Sequence, residues 1–457
     1  MTAIERSRVR RPGHRRTHQQ TGFRPRLSPE GILTLIGVGA ASVIALWWQD
    51  TESVVGLDGW LTNAGRITGL LAGYATAILL LLVARVPVLE REVGADRLAR
   101  WHAMGGRYVV SLALAHTLLI IWGYSVTART GVVSQTVTLV FDYPEMIKGT
   151  LGFLIFLGIG VVSARAARRR MRYETWYYLH LCTYLAVFLA FSHQLALGAD
   201  FVAQPLARTA WYALYIGVGA LLVWYRFLTP IRRSLRHRPQ VAQITRESPG
   251  VVSVYVTGHQ LDELGAEPGQ FFRWRFLAPG LWWTANPYSL SAPVLPGQMR
   301  ITVKEAGGHS RALATLRPGT RIWFEGPYGA FTQARRRSRK ALLLGAGVGI
   351  TPLRALFETM PGELTLIYRA RRPEDLALRG ELDAIAAARG TAVHYVTDQP
   401  ARHAVPLTAE ALRRMVPDLA AHDVYLCGPP GMTATALPAL REAGVPRRRI
   451  HHESFEL

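Results

Sequence analysis

Six apolar stretches fill the first half of this 457-residue chain, near 31–49, 65–87, 101–124, 146–164, 176–197 and 207–228. Each approaches the roughly 20 residues that a helix needs to cross hydrocarbon. No other feature restricts the fold as strongly. In lipid every backbone N–H and C=O has to be paired inside the protein, so an apolar run of that length has to be helical. Residues 30–228 are therefore expected to form a six-helix transmembrane bundle, behind a basic, disordered tail over 1–29. No small-x-small cleavage pattern follows Trp47-Trp48, so the first stretch reads as a span and not as a removed signal.

Charge sets the orientation. The net charge is +22 and Arg carries almost all of it, since the only lysines are Lys148, Lys304 and Lys340. Arg6, Arg8, Arg10, Arg11, Arg15 and Arg16 lie in the tail, and Arg85, Arg91, Arg97 and Arg100 between the second and third spans. Arg165, Arg168, Arg169, Arg170 and Arg172 follow the fourth span, and Arg232, Arg233 and Arg236 follow the sixth. The alternate connections, near 50–64, 125–145 and 198–206, hold only Arg129. The positive-inside rule then puts both termini in the cytoplasm of a multi-pass protein. The Arg-, Ala- and Gly-rich composition points to a bacterial chain, hence to the cytoplasmic (inner) membrane. An anionic lipid leaflet accounts for the basic surplus. No basic-aromatic module accompanies the charge, so no nucleic-acid partner is expected. The run at Arg165–Arg172 also suits docking of the C-terminal half. Cys182 and Cys427 fall in different expected domains, and no disulfide framework exists.

Two apolar stretches carry two histidines each: His102 and His116 in the third, His180 and His193 in the fifth. An imidazole in hydrocarbon is costly and marks a functional partner. Both spans run from cytoplasm to outside, so His102 pairs with His180 and His116 with His193. Such pairs can clamp two b-type haems. The spacings of 14 and 13 residues set the two irons roughly 20 Å apart, one per leaflet. Fourteen residues keep His102 and His116 on one face. Thirteen leave His180 and His193 roughly 140° apart on an ideal helix, a mismatch that either a π-bulge or local unwinding would reconcile and that the spacing alone does not resolve. Tyr184 and Phe188 are candidates to lie between the haems, or to be plain packing.

Beyond about residue 238 short alternating strands appear, such as Val251–Val256 and Met299–Val303. Residues 229–335 read as a small antiparallel β-barrel. From 336 to 457 strands alternate with helices, as in an α/β doubly wound domain. There Ala341–Leu344 feeds Gly345-x-Gly347-x-Gly349-Ile350-Thr351-Pro352. A strand, a Gly-rich turn and a helix start bring amides and a helix dipole to a pyrophosphate. Cys427-Gly428-Pro429-Pro430-Gly431-Met432 follows a later strand, and Arg369, Arg371 and Arg372 follow the second strand. That Arg cluster suits a 2′-phosphate and favours NADPH over NADH.

The six spans, the histidine spacing and these motifs resemble the NADPH oxidase and ferric reductase superfamily from about residue 31 to the end. Asn286-Pro287-Tyr288-Ser289-Leu290-Ser291 is similar to the flavin motif of ferredoxin-reductase-type domains. The resemblance implies that Tyr288 stacks on an FAD ring and that the serines bond its polar edge. It also implies that Gly307, Gly308, His309 and Ser310 hold the pyrophosphate. Asn286 stands where the family usually has Arg or His, so phosphate affinity has to come from elsewhere, with Arg273 or Arg275 as candidates. By the same resemblance Cys427 lies beside the nicotinamide, with Gly428, Pro429 and Met432, and Phe455 lies against the flavin. As an ordinary residue Cys427 would be a small buried apolar group. Arg66 starts the second span at its outer end, near the family's outer haem and oxygen site; it needs an anion there, or is an interfacial anchor.

The expected function is a transmembrane oxidoreductase. It would take electrons from cytoplasmic NAD(P)H through FAD and two b haems to an acceptor outside, with oxygen, reduced to superoxide, ahead. Ile120 stands where the oxidases place a further His, which keeps ferric or cupric chelates in play. A conduit to a quinone or a periplasmic partner is the other alternative. A haem sensor would not need the flavin and nicotinamide motifs.

Overall fold

The computed structural model describes residues 28–454 apart from 50, 52–53, 165–169, 172 and 399–406. Most of the basic tail, most of the Arg165–Arg172 run and Phe455 lie outside the described residues.

Among the described residues six helices are long and apolar enough to cross a membrane. The first five spans are Pro29–Trp48, Gly56–Val83, Ala95–Ala128, Met146–Ser163 and Tyr173–Leu197. The sixth runs through Pro205–Val223, a π turn at Trp224–Leu228 and Thr229–His237. Glycines set which spans meet closely, as small residues do in lipid. A Cβ at Gly65 would come 2.8 Å from Ile120, and one at Gly123 2.4 Å from Thr62, so the second and third spans touch along their backbones. A Cβ at Gly152 would come 2.8 Å from Ala186 O, which seats the fourth span on the fifth. The fifth span is α-helical throughout. Neither a π-bulge nor an unwound turn interrupts it between His180 and His193, and the π turn lies in the sixth span.

The chain then enters β1 (Gln240–Ser248), β2 (Val251–Thr257), β3 (Phe271–Phe276), β4 (Asn286–Ser289), β5 (Gln298–Lys304) and β6 (Ile322–Tyr328). These form two three-stranded antiparallel sheets, β1-β2-β5 and β4-β3-β6. Phe272, Trp274, Phe276, Phe324 and Ile301 fill the core between them. The expected barrel does not close. Single bridges, Gln240–Arg321 and Leu290–Ile301, join the sheet edges. The reason is local: β4 is four residues long and contains Pro287, which has no N–H to extend a ladder.

A five-stranded parallel sheet follows, of β7 (Lys340–Ala346), β8 (Glu363–Ala370), β9 (Val393–Thr397), β10 (Asp423–Gly428) and β11 (Ile450–Ser454), in the order β11-β10-β7-β8-β9. Ala341–Leu344 are wholly buried, as suits a strand covered on both faces. The order reverses between β7 and β10, which makes their carboxyl ends the switch point where ligands bind in open α/β sheets.

Asp423 anchors this sheet's far end. It is fully buried and accepts from Arg337 N (2.8 Å), Ser338 N (2.5 Å) and His451 Nε2 (3.0 Å). Asp423→Ala strands all three donors and is expected to cost roughly 3 kcal/mol. In a thermal melt of the full chain in detergent this lowers the C-terminal transition by roughly 6–12 °C. An unchanged transition would contradict the anchoring role.

The soluble half rests on the membrane half through named contacts. Tyr178 Oη donates to Trp283 O (3.1 Å), Arg335 donates to Glu92 O (3.0 Å), and the Arg85 guanidinium lies 4.7 Å from the Tyr328 ring centre.

Candidate functional site

The first histidine of the third span meets the first of the fifth. His102 and His180 have ring centres 5.9 Å apart at 78°. Two metal–imidazole bonds of about 2.0–2.1 Å, with about 1.1 Å from each nitrogen to its ring centre, put such rings roughly 6 Å apart. His102 Nδ1 donates to Leu79 O (3.1 Å) and His116 Nδ1 to Gly65 O (2.8 Å). A carbonyl only accepts, so Nδ1 carries the proton and the Nε2 lone pair is left for a metal, the arrangement ligating histidines use. His180 Nδ1 sits 3.4 Å from Ser163 Oγ, and its ring stacks on Trp176 at 5.2 Å. His193 Nδ1 is buried without a hydrogen bond of ordinary geometry. Glycines crowd the other two imidazoles: a Cβ at Gly69 would stand 2.6 Å from His116 Nδ1, and one at Gly149 3.0 Å from His193 Nδ1. Both His180 and His193 thus abut the fourth span, at Ser163 and Gly149. These residues fit two b-type haems. Phe188 is 76% exposed, while Tyr184 is half-buried.

Arg66 has its anion. Its guanidinium pairs with Asp200 at 2.7 Å, and Asp200 is 1% exposed. Asp200 sits on the short helix Ala199–Ala203, just past the fifth span. Its sequence signal was slight: one acid in an otherwise uncharged outer connection.

On the flavin side, Tyr288 pairs across β3–β4, its hydroxyl 3.4 Å from His309 Nδ1. Burial pushes its phenol above the usual range. Ser289 Oγ is buried with no hydrogen-bond partner among the described residues. Leu290 is buried beside it. Ser291 is already engaged: its hydroxyl accepts from Arg300 Nε (3.1 Å) and from Thr302 (2.8 Å). Ser310 Oγ accepts from Ala306 N and Gly307 N, both at 2.9 Å, and so shapes its own loop. Gly307 and Gly308 face open space. Arg273 pairs with Glu325 at 3.7 Å and Arg275 donates to Trp282 O, so both phosphate candidates have protein partners.

The nucleotide turn sits at the switch point, and each glycine has a cause. Gly345 would push a Cβ to 2.8 Å from Leu353; Gly347 has φ +53°; Gly349 would put one 2.3 Å from Cys427 O. Thr351 caps the turn by donating to Val348 O (2.9 Å), and Pro352 is buried behind it. Cys427 is fully buried in register with Gly345 and Glu453. Burial, then the Glu453 charge, drives its thiol well up. Gly428 lets Met432 Sδ approach, since a Cβ there would stand 2.8 Å from it, and Pro429 leads into the helix Pro430–Glu442. Of the three arginines after β8, Arg369 pairs with Asp398 (3.2 Å), and Arg372 pairs with Asp375 (3.1 Å) and Glu374 (3.2 Å). Arg371 is exposed and makes no ion pair among the described residues. β11 carries the chain to Ser454, in register with Gly428.

Residues 68–191 match the family described as ferric reductase like transmembrane component, and residues 343–437 match the oxidoreductase NAD-binding domain. The ferredoxin reductase component of 3-ketosteroid-9-alpha-monooxygenase from Mycolicibacterium smegmatis is 31% identical, over 48% of this chain and 65% of that protein. A flavohemoprotein from Bordetella pertussis is 29% identical, over 47% of this chain and 60% of that protein. The chain thus spans less than two thirds of the length of these curated relatives. The flavohem-like FAD/NAD binding domain of nitric oxide dioxygenase from Vibrio cholerae aligns over 48% of this chain and 99% of that domain, at 25% identity and TM-score 0.41.

Proposed function

We propose that this chain, an oxidoreductase with the architecture of the ferric-reductase-like flavocytochromes, carries electrons from cytoplasmic NAD(P)H to an acceptor on the outer face of the bacterial inner membrane. The observation that carries the reading is the His102–His180 pair, with rings 5.9 Å apart inside a membrane-length bundle that continues into a flavin and nicotinamide module. His102 with His180, and His116 with His193, would hold two b haems; Tyr288, Ser289 and the loop Gly307–Ser310 would hold FAD. Bound there, these groups supply hydride acceptance and single-electron transfer, which side chains cannot. The protein's own part is placement. Leu79 O and Gly65 O fix two imidazole tautomers, and the Gly345–Gly349 turn offers amides to a pyrophosphate at the switch point. The exposed Arg371 supports NADPH ahead of NADH. The Arg-rich connections support cytoplasmic termini.

His116 and His193 would both be taken up in holding the second haem, so the acceptor would be reduced without bonding to it. Oxygen, giving superoxide, is the first acceptor. Asp200 favours a second reading: it neutralises Arg66 and so removes a lone cation that would hold superoxide, which suits a ferric or cupric chelate, a quinone or a periplasmic protein. Purified protein is reduced with NADPH under argon and mixed rapidly with oxygenated buffer. Fast reoxidation of the haem band with superoxide release supports oxygen. Reoxidation only on adding ferric chelate, quinone or a protein fraction moves the assignment to that acceptor. No reduction by either nucleotide overturns the proposal.

A further inference from the structure

A buried ionic chain links the flavin-binding strand to the nucleotide turn, and nothing in the electron route described above uses it. Arg300, on β5, grips Ser291: Nη2 donates to Ser291 O (2.9 Å) and Nε to Ser291 Oγ (3.1 Å). Ser291 lies two residues past Ser289. The same guanidinium reaches across to the helix Arg379–Arg389 and binds Glu381 with both arms, at 2.5 and 2.9 Å. Glu381 Oε2 also lies 2.8 Å from Arg354 Nε, an ion pair without hydrogen-bond alignment. Arg354 stands on the helix Ile350–Thr359, which begins where the Gly345–Gly349 turn ends. The Arg300 and Arg354 side chains are 6% and 10% exposed, and Glu381 32%. One carboxylate therefore holds two arginines that come from the two halves of the soluble module. Bidentate Arg–carboxylate geometry fixes orientation as well as distance.

We infer that Glu381 is a positioning residue that locks the flavin-bearing sheet against the nicotinamide-bearing helix, so setting the hydride-transfer geometry. The inference rests on the hydride-accepting reading above. In that step a hydride would pass from the nicotinamide to the flavin, leaving the oxidised nicotinamide, and one proton from solvent would complete the reduced flavin. Arg354 keeps Glu358 when Glu381 is neutralised; Arg300 then has no carboxylate partner among the described residues. Two facing guanidinium groups without the anion between them repel, and the two halves part. A shift of about 1 Å between reacting groups can cost 10²-fold in rate.

The test uses the full chain in detergent with FAD bound. In Glu381→Gln, the limiting rate of flavin reduction at saturating NADPH falls at least tenfold, while dithionite reduces the flavin as before. The primary isotope effect with deuterated NADPH rises, because misplaced hydride transfer becomes the slow step. Backbone hydrogen exchange in 350–359 and 379–389 speeds up even without nucleotide. Glu381→Asp, which keeps the charge, recovers part of the rate. Asp383→Asn, an exposed change on the same helix, stays within twofold of wild type. A Glu381→Gln protein with wild-type rate and exchange overturns the inference. A variant that has lost FAD assigns Glu381 to folding alone and overturns it too. Wild-type flavin that neither nucleotide reduces overturns the functional reading itself.

Discussion

His116→Leu is expected to cut electron delivery to any outside acceptor by at least about a hundredfold while NAD(P)H still reduces the flavin. His116 is the third span's outer imidazole, held by Gly65 O at 2.8 Å and crowded by Gly69. Leu is close to it in volume and suits an apolar bundle, so the fold survives and only the ligand is lost. The inner pair is untouched, because His102 and His180 have their own anchors at Leu79 and Ser163. Haem content should drop from two to one per flavin, and stopped-flow traces should retain flavin bleaching and one fast haem phase. Outward reduction at wild-type rates would mean that electrons leave by another path.

Gly349→Ala should cut nucleotide-dependent flavin reduction by about a hundredfold, since displacements near 1 Å carry costs of that size. The added Cβ meets the Cys427 carbonyl at 2.3 Å and its carbon at 2.6 Å. Both are backbone, pinned in the middle of a parallel sheet, so the turn has to move. Gly345→Ala is the informative contrast. Its Cβ meets the tip of Leu353 at 2.8 Å, which can rotate away, and the loss should stay within about tenfold. Dithionite reduction and the haem spectrum should be unchanged in both. If the two variants lose equally, backbone contact at the switch point is not what the third glycine protects.

The membrane half was legible because length alone decides it. A 20-residue apolar run has few options, and all six expected spans are helices. Their ends were less legible: the third runs Ala95–Ala128 where apolarity marked 101–124, since a helix continues past the hydrocarbon at little cost. What pairs across the fold was not legible. Asp200 becomes the partner of Arg66 only when a five-residue helix folds back under the fifth span. Glu381 reads as an ordinary exposed helix residue until Arg300 and Arg354 close on it. The motif serines looked alike in sequence, yet Arg300 and Thr302 occupy Ser291 and leave Ser289. The barrel was expected from strand count, and one short strand with a proline keeps it open.

The measurement that bears most directly on the account is the haem-to-flavin ratio and visible spectrum of the purified protein. Two haems per FAD are predicted, with the sharp bands of six-coordinate, bis-imidazole b haem in both redox states, falling to one haem in His116→Leu. A flavoprotein with no haem absorption would contradict the assignment of His102, His116, His180 and His193, and the transmembrane route with it.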